Sequence, residues 1–141
     1  MGGMGGKTRA LRILNPFIDT VCCRHNNIRL GMQVSHHRLC LCTCPDEKIA
    51  QELAHSLVEA RLAACVNILP AITSVYMWQG RIEQDGEVLL LIKTSEQRLP
   101  DLQAHIVARH PYELPEVIAV PITDGLTGYL QWLDDVMESQ T

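Results

Sequence analysis

The run Leu39-Cys-Leu-Cys-Thr-Cys44 is short and apolar, with cysteine standing in as a small hydrophobe, and it predicts a buried strand over 39–44. Pro45 suits the first position of a helix, with Asp46 and Glu47 where the N-terminal dipole favours anions. Ile49, Leu53, Leu57, Ala60 and Ala64 then recur at helical spacing, so one apolar stripe runs through Ala64. Cys65 to Leu69 turns extended, and Pro70 interrupts it as a bulge or an edge feature. Ile72 to Trp78 resumes the strand, with Ile72, Ser74, Tyr76 and Trp78 on one face.

Gln79-Gly80 and Asp85-Gly86 are both turn signals. The reversal is assigned to Gly80, and Asp85-Gly86 is read as a bulge. Glu87 to Thr94 is the strongest strand in the chain. Pro100 opens a second helix, with Asp101 in its first turn and Leu102 and Ile106 inward, which must end at His110 because Pro111 cannot continue it. Glu116 to Ile122 predicts a last strand, and Leu126 to Glu138 a last amphipathic helix showing Leu126, Leu130, Leu133 and Met137. The order β-α-β-β-α-β plus a helix is that of an α+β, ferredoxin-like sandwich, an antiparallel sheet with helices on one face and an extra C-terminal helix.

Val88-Leu-Leu-Leu-Ile92 is apolar on both faces, although helices cover only one face of such a sheet. Left bare, the second face would be an aggregation-prone patch. Self-association is the simplest cover.

Composition divides the chain. Of its 141 residues, 47% are apolar and 20% charged, with mean hydropathy near zero, as in an ordinary soluble domain. The net charge of −4 is unevenly spread: residues 1–38 hold six basic groups and one acid, and residues 39–141 hold six basic groups and fifteen acids. An acidic domain repels polyphosphate, which argues against nucleic-acid binding. No window of 18 apolar residues suggests a membrane span. Residues 1–31, glycine-rich and basic, read as a disordered or non-native extension, with targeting or an ordered arm as the other readings. Met32 is an equally good start, so the domain is placed at 32–141. Cys22-Cys23 receives no role.

The alternation of Cys40, Cys42 and Cys44 turns all three thiols to one face of the strand. They are either small core residues under the first helix or a soft ligand set suited to Cu(I). Cα atoms two apart on a strand are separated by roughly 6.5–7 Å, a gap that one ion only just bridges. No CxxC is present, and His36-His37 matches no zinc-module spacing. Arg109 and His110 suit a helix C-terminus, where cations meet the free carbonyls. His105 lies one turn earlier and can face solvent; His55 is mid-helix and exposed, and Cys65 is read as core. Tyr76 and Trp78 suit a subunit contact more than ligand stacking. Lys93 ends an apolar strand and needs an anion, either Glu87, Glu116 or a bound ligand. There is no GxGxxG, P-loop, HExxH or GxSxG, and Asp134-Asp135 occupy diverging helix positions, so nothing supports an enzyme.

From Thr43 to Asp135 the chain resembles the CutA divalent-cation tolerance family. The matching segments are Cys42-Thr-Cys-Pro-Asp-Glu, Leu62-Ala-Ala-Cys-Val-Asn-Ile-Leu-Pro70, Ser74-Val-Tyr-Met-Trp-Gln-Gly80, Leu89-Leu-Leu-Ile-Lys-Thr94, His110-Pro-Tyr-Glu-Leu-Pro-Glu116 and Tyr129-Leu-Gln-Trp-Leu133. The resemblance implies a ferredoxin-like subunit in a homotrimer whose sheets join edge to edge. It also implies a copper site on a cysteine before Thr-x-Pro-Asp-Glu and on two adjacent histidines before Pro-Tyr. Those positions are Cys42, Arg109 and His110 here, and the arginine cannot ligate a metal. The resulting expectation is a cytoplasmic, homotrimeric protein that binds copper through Cys42 and His110 and contributes to metal tolerance, the reducing cytosol keeping its thiols free. Two other readings stand beside it. One is a PII-like trimeric signalling module, with Lys93, Arg98 and Arg109 holding a small anion between subunits; the other is a structural trimeric scaffold.

Overall fold

The computed structural model of the protein describes residues 35–138; the basic segment and the expectations attached to it lie outside the described residues. The elements run β1 (His37–Cys44), α1 (Glu47–Glu59), β2 (Cys65–Trp78), β3 (Arg81–Ser95), a 3-10 turn (Glu96–Arg98), α2 (Leu99–Arg109), β4 (Ile118–Pro121) and α3 (Thr127–Met137). The four strands form one antiparallel sheet in the order β2-β3-β1-β4. This is the ferredoxin-like sandwich expected from the element order.

The start of α1 differs from expectation. Asp46 is its cap rather than a first-turn residue, and the carboxylate accepts the Ile49 N–H at 2.8 Å, satisfying a helix donor with no partner inside the helix. The helix also ends earlier, at Glu59. Arg61 takes the left-handed conformation (φ 55°), and the Arg61 and Leu62 N–H groups return to the Val58 and Leu57 carbonyls at 3.0 Å. That pattern closes a helix end whatever follows it, so the apolar stripe stops short and Ala60 is exposed.

Two further points concern the hairpin. Trp78 pairs with Arg81, and Gln79 and Gly80 both have positive φ (47° and 77°), the two-residue turn that matches strand twist. Asp85-Gly86, by contrast, is not a bulge: both residues pair in register with Ser74 and Thr73. The irregularity lies between Leu69 and Ile72, where Ala71 adopts φ 60° beside Pro70.

The core lies between the sheet and helices α1 and α2. Cys40, Cys42, Cys44, Val88, Leu90 and Ile92 meet Ala50, Leu53, Leu57, Leu102 and Ile106, nearly all completely buried. Each large apolar side chain here contributes about 1.5–3 kcal/mol. On the opposite face Leu41, Leu89 and Leu91 are only half-buried, and Ile118 and Val120 are exposed. Helix α3 takes one end of the molecule, packing Leu133 and Met137 against Ala64, whereas Leu126 stands 81% exposed just ahead of it. Beyond the main sheet, β2 and β3 continue as a two-stranded arm over residues 72–87, because β1 pairs with β3 only from Val88 onward. Val75, Tyr76, Met77, Trp78 and Ile82 are all exposed on that arm. Among the described residues no helix is long and apolar enough to cross a membrane.

Candidate metal centre

Strand parity turns Cys40, Cys42 and Cys44 under the helices, each with no exposed surface. The imidazole reaches them from α2. Pro111 stops that helix, His110 caps it through its N–H to the Ile106 carbonyl (2.8 Å), and the ring turns inward beneath β1. Pairing of β4 with β1 stops at Leu41, and beyond that point His110 Nε2 lies 2.8 Å from the Thr43 carbonyl. The Tyr112 N–H donates to His110 Nδ1 at 3.1 Å. Since Nδ1 accepts a backbone N–H, the ring proton is on Nε2, which donates to Thr43. A neutral, almost fully buried histidine thus latches the end of α2 to β1.

The ligand atoms of Cys42, Cys44 and His110 lie within 4.8 Å of one another. Metal–sulfur bonds of about 2.3 Å and metal–nitrogen bonds of about 2.0–2.1 Å span donor separations of roughly 3.5–4 Å, within that limit, so the three residues could share one soft ion. Two sulfurs and one nitrogen suit Cu(I) better than a hard cation. The sequence offered Cys44 only as one of three alternating thiols, whereas the family resemblance pointed to Cys42 alone among them; Cys40 lies outside the cluster.

The thiols differ in acidity. Burial, with Glu116 nearby, pushes Cys40 up to about 11. Hydrogen bonding to Cys44 and burial together hold the Cys42 proton far more firmly, while the same bond lowers Cys44 against the opposing burial and the charges of Glu87 and Asp46. A metal ion held here would have to displace the Cys42 proton and free one nitrogen of His110, so loading would compete with the latch.

Beside the latch opens a groove of about 690 Å³, lined by Thr43, Tyr76, Trp78, Glu87, Tyr112, Glu116 and their neighbours. Tyr112 sets its ring at a tilt of 56° against His110 (ring centroids 4.9 Å apart) and donates its hydroxyl to Glu87 Oε1 at 2.9 Å. Burial and that bond raise the Tyr112 phenol, and Tyr76 is likewise raised by its hydrogen bond to Asp85. Both phenols stay neutral donors to carboxylates.

The remaining candidates fall apart in space. Arg109 is exposed, and His105 turns toward α1, where its Nε2 lies 2.9 Å from Ser56 Oγ, so neither completes the cluster. His55 is exposed, as expected. Cys65, read as core, is only half-buried. Lys93 does not form the expected ion pair among the described residues; its Nζ lies 3.9 Å from Cys65 Sγ, on the half-open sheet face. Arg98 donates to the Met137 carbonyl, and the length of α2, about 16 Å at 1.5 Å per residue, separates it from Arg109. Within one subunit the three cations form no common anion site. Asp134 and Asp135 do diverge: Asp135 accepts from Gln131, whereas Asp134 meets His36 and His37.

Comparison with known proteins adds to this geometry. The family model described as CutA1 divalent ion tolerance protein matches residues 38–136. The human protein named Protein CutA is 54% identical over 97 residues, covering 69% of this chain and 54% of its own length. The Thermus thermophilus divalent-cation tolerance protein CutA is 50% identical over 93 residues, covering 66% of this chain and 90% of its own. The crystal structure of CutA1 from Oryza sativa superposes with a TM-score of 0.71 at 41% identity, over 77% of this chain and all of that one. The chain spans about half the length of the mammalian relatives it matches.

Proposed function

This chain belongs to the CutA1 divalent ion tolerance family, and on that premise we propose that it binds copper within a homotrimer and contributes to metal tolerance. The observation that carries the reading is the convergence of Cys42, Cys44 and His110 in one buried cluster. Cys42 and His110 are the positions to which the family resemblance pointed; Cys44 supplies the third soft donor that Arg109 cannot. These residues would hold the ion as Cu(I), shielded from water by the core, and copper there would supply soft-ion sequestration rather than catalysis. The family's names likewise describe tolerance and no reaction. Both thiols would give up their protons as the ion binds.

Self-association is supported by the bare apolar surface. Half-buried Leu89 and Leu91 with exposed Ile118 and Val120 on the second sheet face, and Val75, Met77, Trp78 and Ile82 on the arm, leave apolar side chains open that a second copy would cover. A two-stranded ribbon is also marginal in water without a third strand or a packing partner. Light scattering of the purified chain should give three times the 15.8 kDa of one subunit. A monomer mass would remove the trimer. We place the protein in the cytoplasm, where the buried thiols remain reduced; cell fractionation tests this.

The metal reading is tested by a competitive Cu(I) titration of the full chain, run beside Cys44→Ser, Cys42→Ser and His110→Gln. Weaker binding of the one ion per chain is expected in all three variants, most of all in the two serine variants. Binding unchanged in all three would overturn the assignment.

A further inference from the structure

A second cluster lies at the opposite end of β1 from the thiols and is chemically unlike them. His36 Nε2 and His37 Nε2 both approach Asp134 Oδ1, at 2.8 and 2.9 Å, and their ring centroids are 4.1 Å apart. Adjacent residues of a strand normally point to opposite faces, so neighbouring histidines cannot usually share a partner. Here His36 precedes the strand, which begins at His37. Arg38 Nη1 gathers the Ser35 and His37 carbonyls at 2.5 and 2.9 Å, folding residues 35–37 so that the two rings meet.

The third ligand is held as firmly. The last turn of α3 is anchored from outside by two guanidinium groups, Arg61 to the Val136 carbonyl (2.8 Å) and Arg98 to the Met137 carbonyl (2.6 Å). Asp134 is therefore fixed opposite the histidines, although 97 residues separate it from His37. Ser35 Oγ accepts the His37 N–H (3.2 Å) and lies 3.1 Å from His37 Nδ1. When Nε2 binds a metal, Nδ1 carries the proton, and Ser35 Oγ is placed to accept it with its other lone pair. A hydrogen-bond partner on the remote nitrogen is what orients a ligating imidazole.

We propose that His36, His37 and Asp134 form a binding site for a borderline divalent cation of the Zn2+ class, separate from the thiol cluster. Two imidazoles and one carboxylate are a nitrogen–oxygen set suited to such ions rather than to Cu(I). The two nitrogen–oxygen pairs, at 2.8 and 2.9 Å, stand slightly closer than tetrahedral coordination requires, since bonds of about 2.0–2.1 Å put ligand atoms roughly 3.3 Å apart. Opening by about half an ångström admits the ion. His37 is buried, but the His36 side chain is 59% exposed, which leaves an entry path and a solvent position for a fourth ligand. Bound metal would tie the start of β1 to α3.

The test is Zn2+ titration of the full chain by calorimetry, beside His36→Asn, Asp134→Asn and the Cys42→Ser/Cys44→Ser double variant. His36→Asn is exposed and should leave the fold intact, and Asp134→Asn keeps the shape and an acceptor oxygen. We expect one Zn2+ per chain to weaken by at least about tenfold in the histidine and aspartate variants and to persist in the double serine variant. Co2+ substituted at the site should show no thiolate charge-transfer band. Absence of Zn2+ binding, affinity unchanged by His36→Asn and Asp134→Asn, or loss only with the thiols would each overturn the proposal. None of these outcomes bears on whether Cu(I) occupies the thiol cluster.

Discussion

Replacing His110 by alanine removes both ends of the latch. The Thr43 carbonyl, on a nearly buried residue, loses the donor at 2.8 Å, and the Tyr112 N–H loses its acceptor at 3.1 Å. The Thr43 carbonyl keeps only the weak Cys42 thiol donor at 3.7 Å; a buried acceptor so nearly stripped costs about 1–3 kcal/mol, and a lost hydrogen bond with solvent nearby about 0.5–1.5 kcal/mol. The ring's contact with Tyr112 is lost as well. The expected destabilisation of His110→Ala is therefore about 2–4 kcal/mol. His110→Gln keeps an N–H for Thr43 and should recover roughly half of it. Urea denaturation at one fixed chain concentration measures both, since association makes the midpoint depend on concentration. The reasoning is refuted if alanine costs less than about 0.5 kcal/mol, or if glutamine is no better than alanine.

Other regions give further expectations. Gly80→Ala meets no neighbour within 4 Å, so its cost is that of holding φ 77° alone, about 1 kcal/mol by urea unfolding. His105 is pushed below its ordinary value by burial and by Arg109. Its folded state favours the neutral ring, so this contribution is complete above about pH 6.5 and is lost as pH falls toward the folded value. His105→Gln should flatten that part of the stability–pH curve. Among Cys40, Cys42, Cys44 and Cys65, only Cys65 is partly exposed, so it should be alkylated first under native conditions, with peptide mapping as the readout. Faster labelling of Cys40 would contradict the burial described.

Local chemistry made much of this molecule legible in its sequence. The turn at Gly80 could be read because a two-residue hairpin demands positive φ, and the end of α2 because Pro111 supplies no N–H. Strand alternation put Cys40, Cys42 and Cys44 on one face, and they do sit under the helices. Asp85-Gly86 was misread because a turn dipeptide is also tolerated in a ribbon with open faces, where its residues need fill no core. The end of α1 was missed because Arg61, not glycine, takes the left-handed position. Cys42 was placed in the cluster by family resemblance, and Cys44 was available from parity alone. The His110–Thr43 latch and the His36–His37–Asp134 cluster join residues 67 to 98 apart in sequence, and no local pattern encodes those distances.

X-ray absorption at the copper edge of the Cu(I)-loaded full chain tests the central claim most directly. The account predicts two sulfur neighbours and one nitrogen neighbour for the ion, with one sulfur fewer in Cys44→Ser and the nitrogen absent in His110→Gln. A copper shell of nitrogen and oxygen alone, or one that both variants leave unchanged, would contradict it.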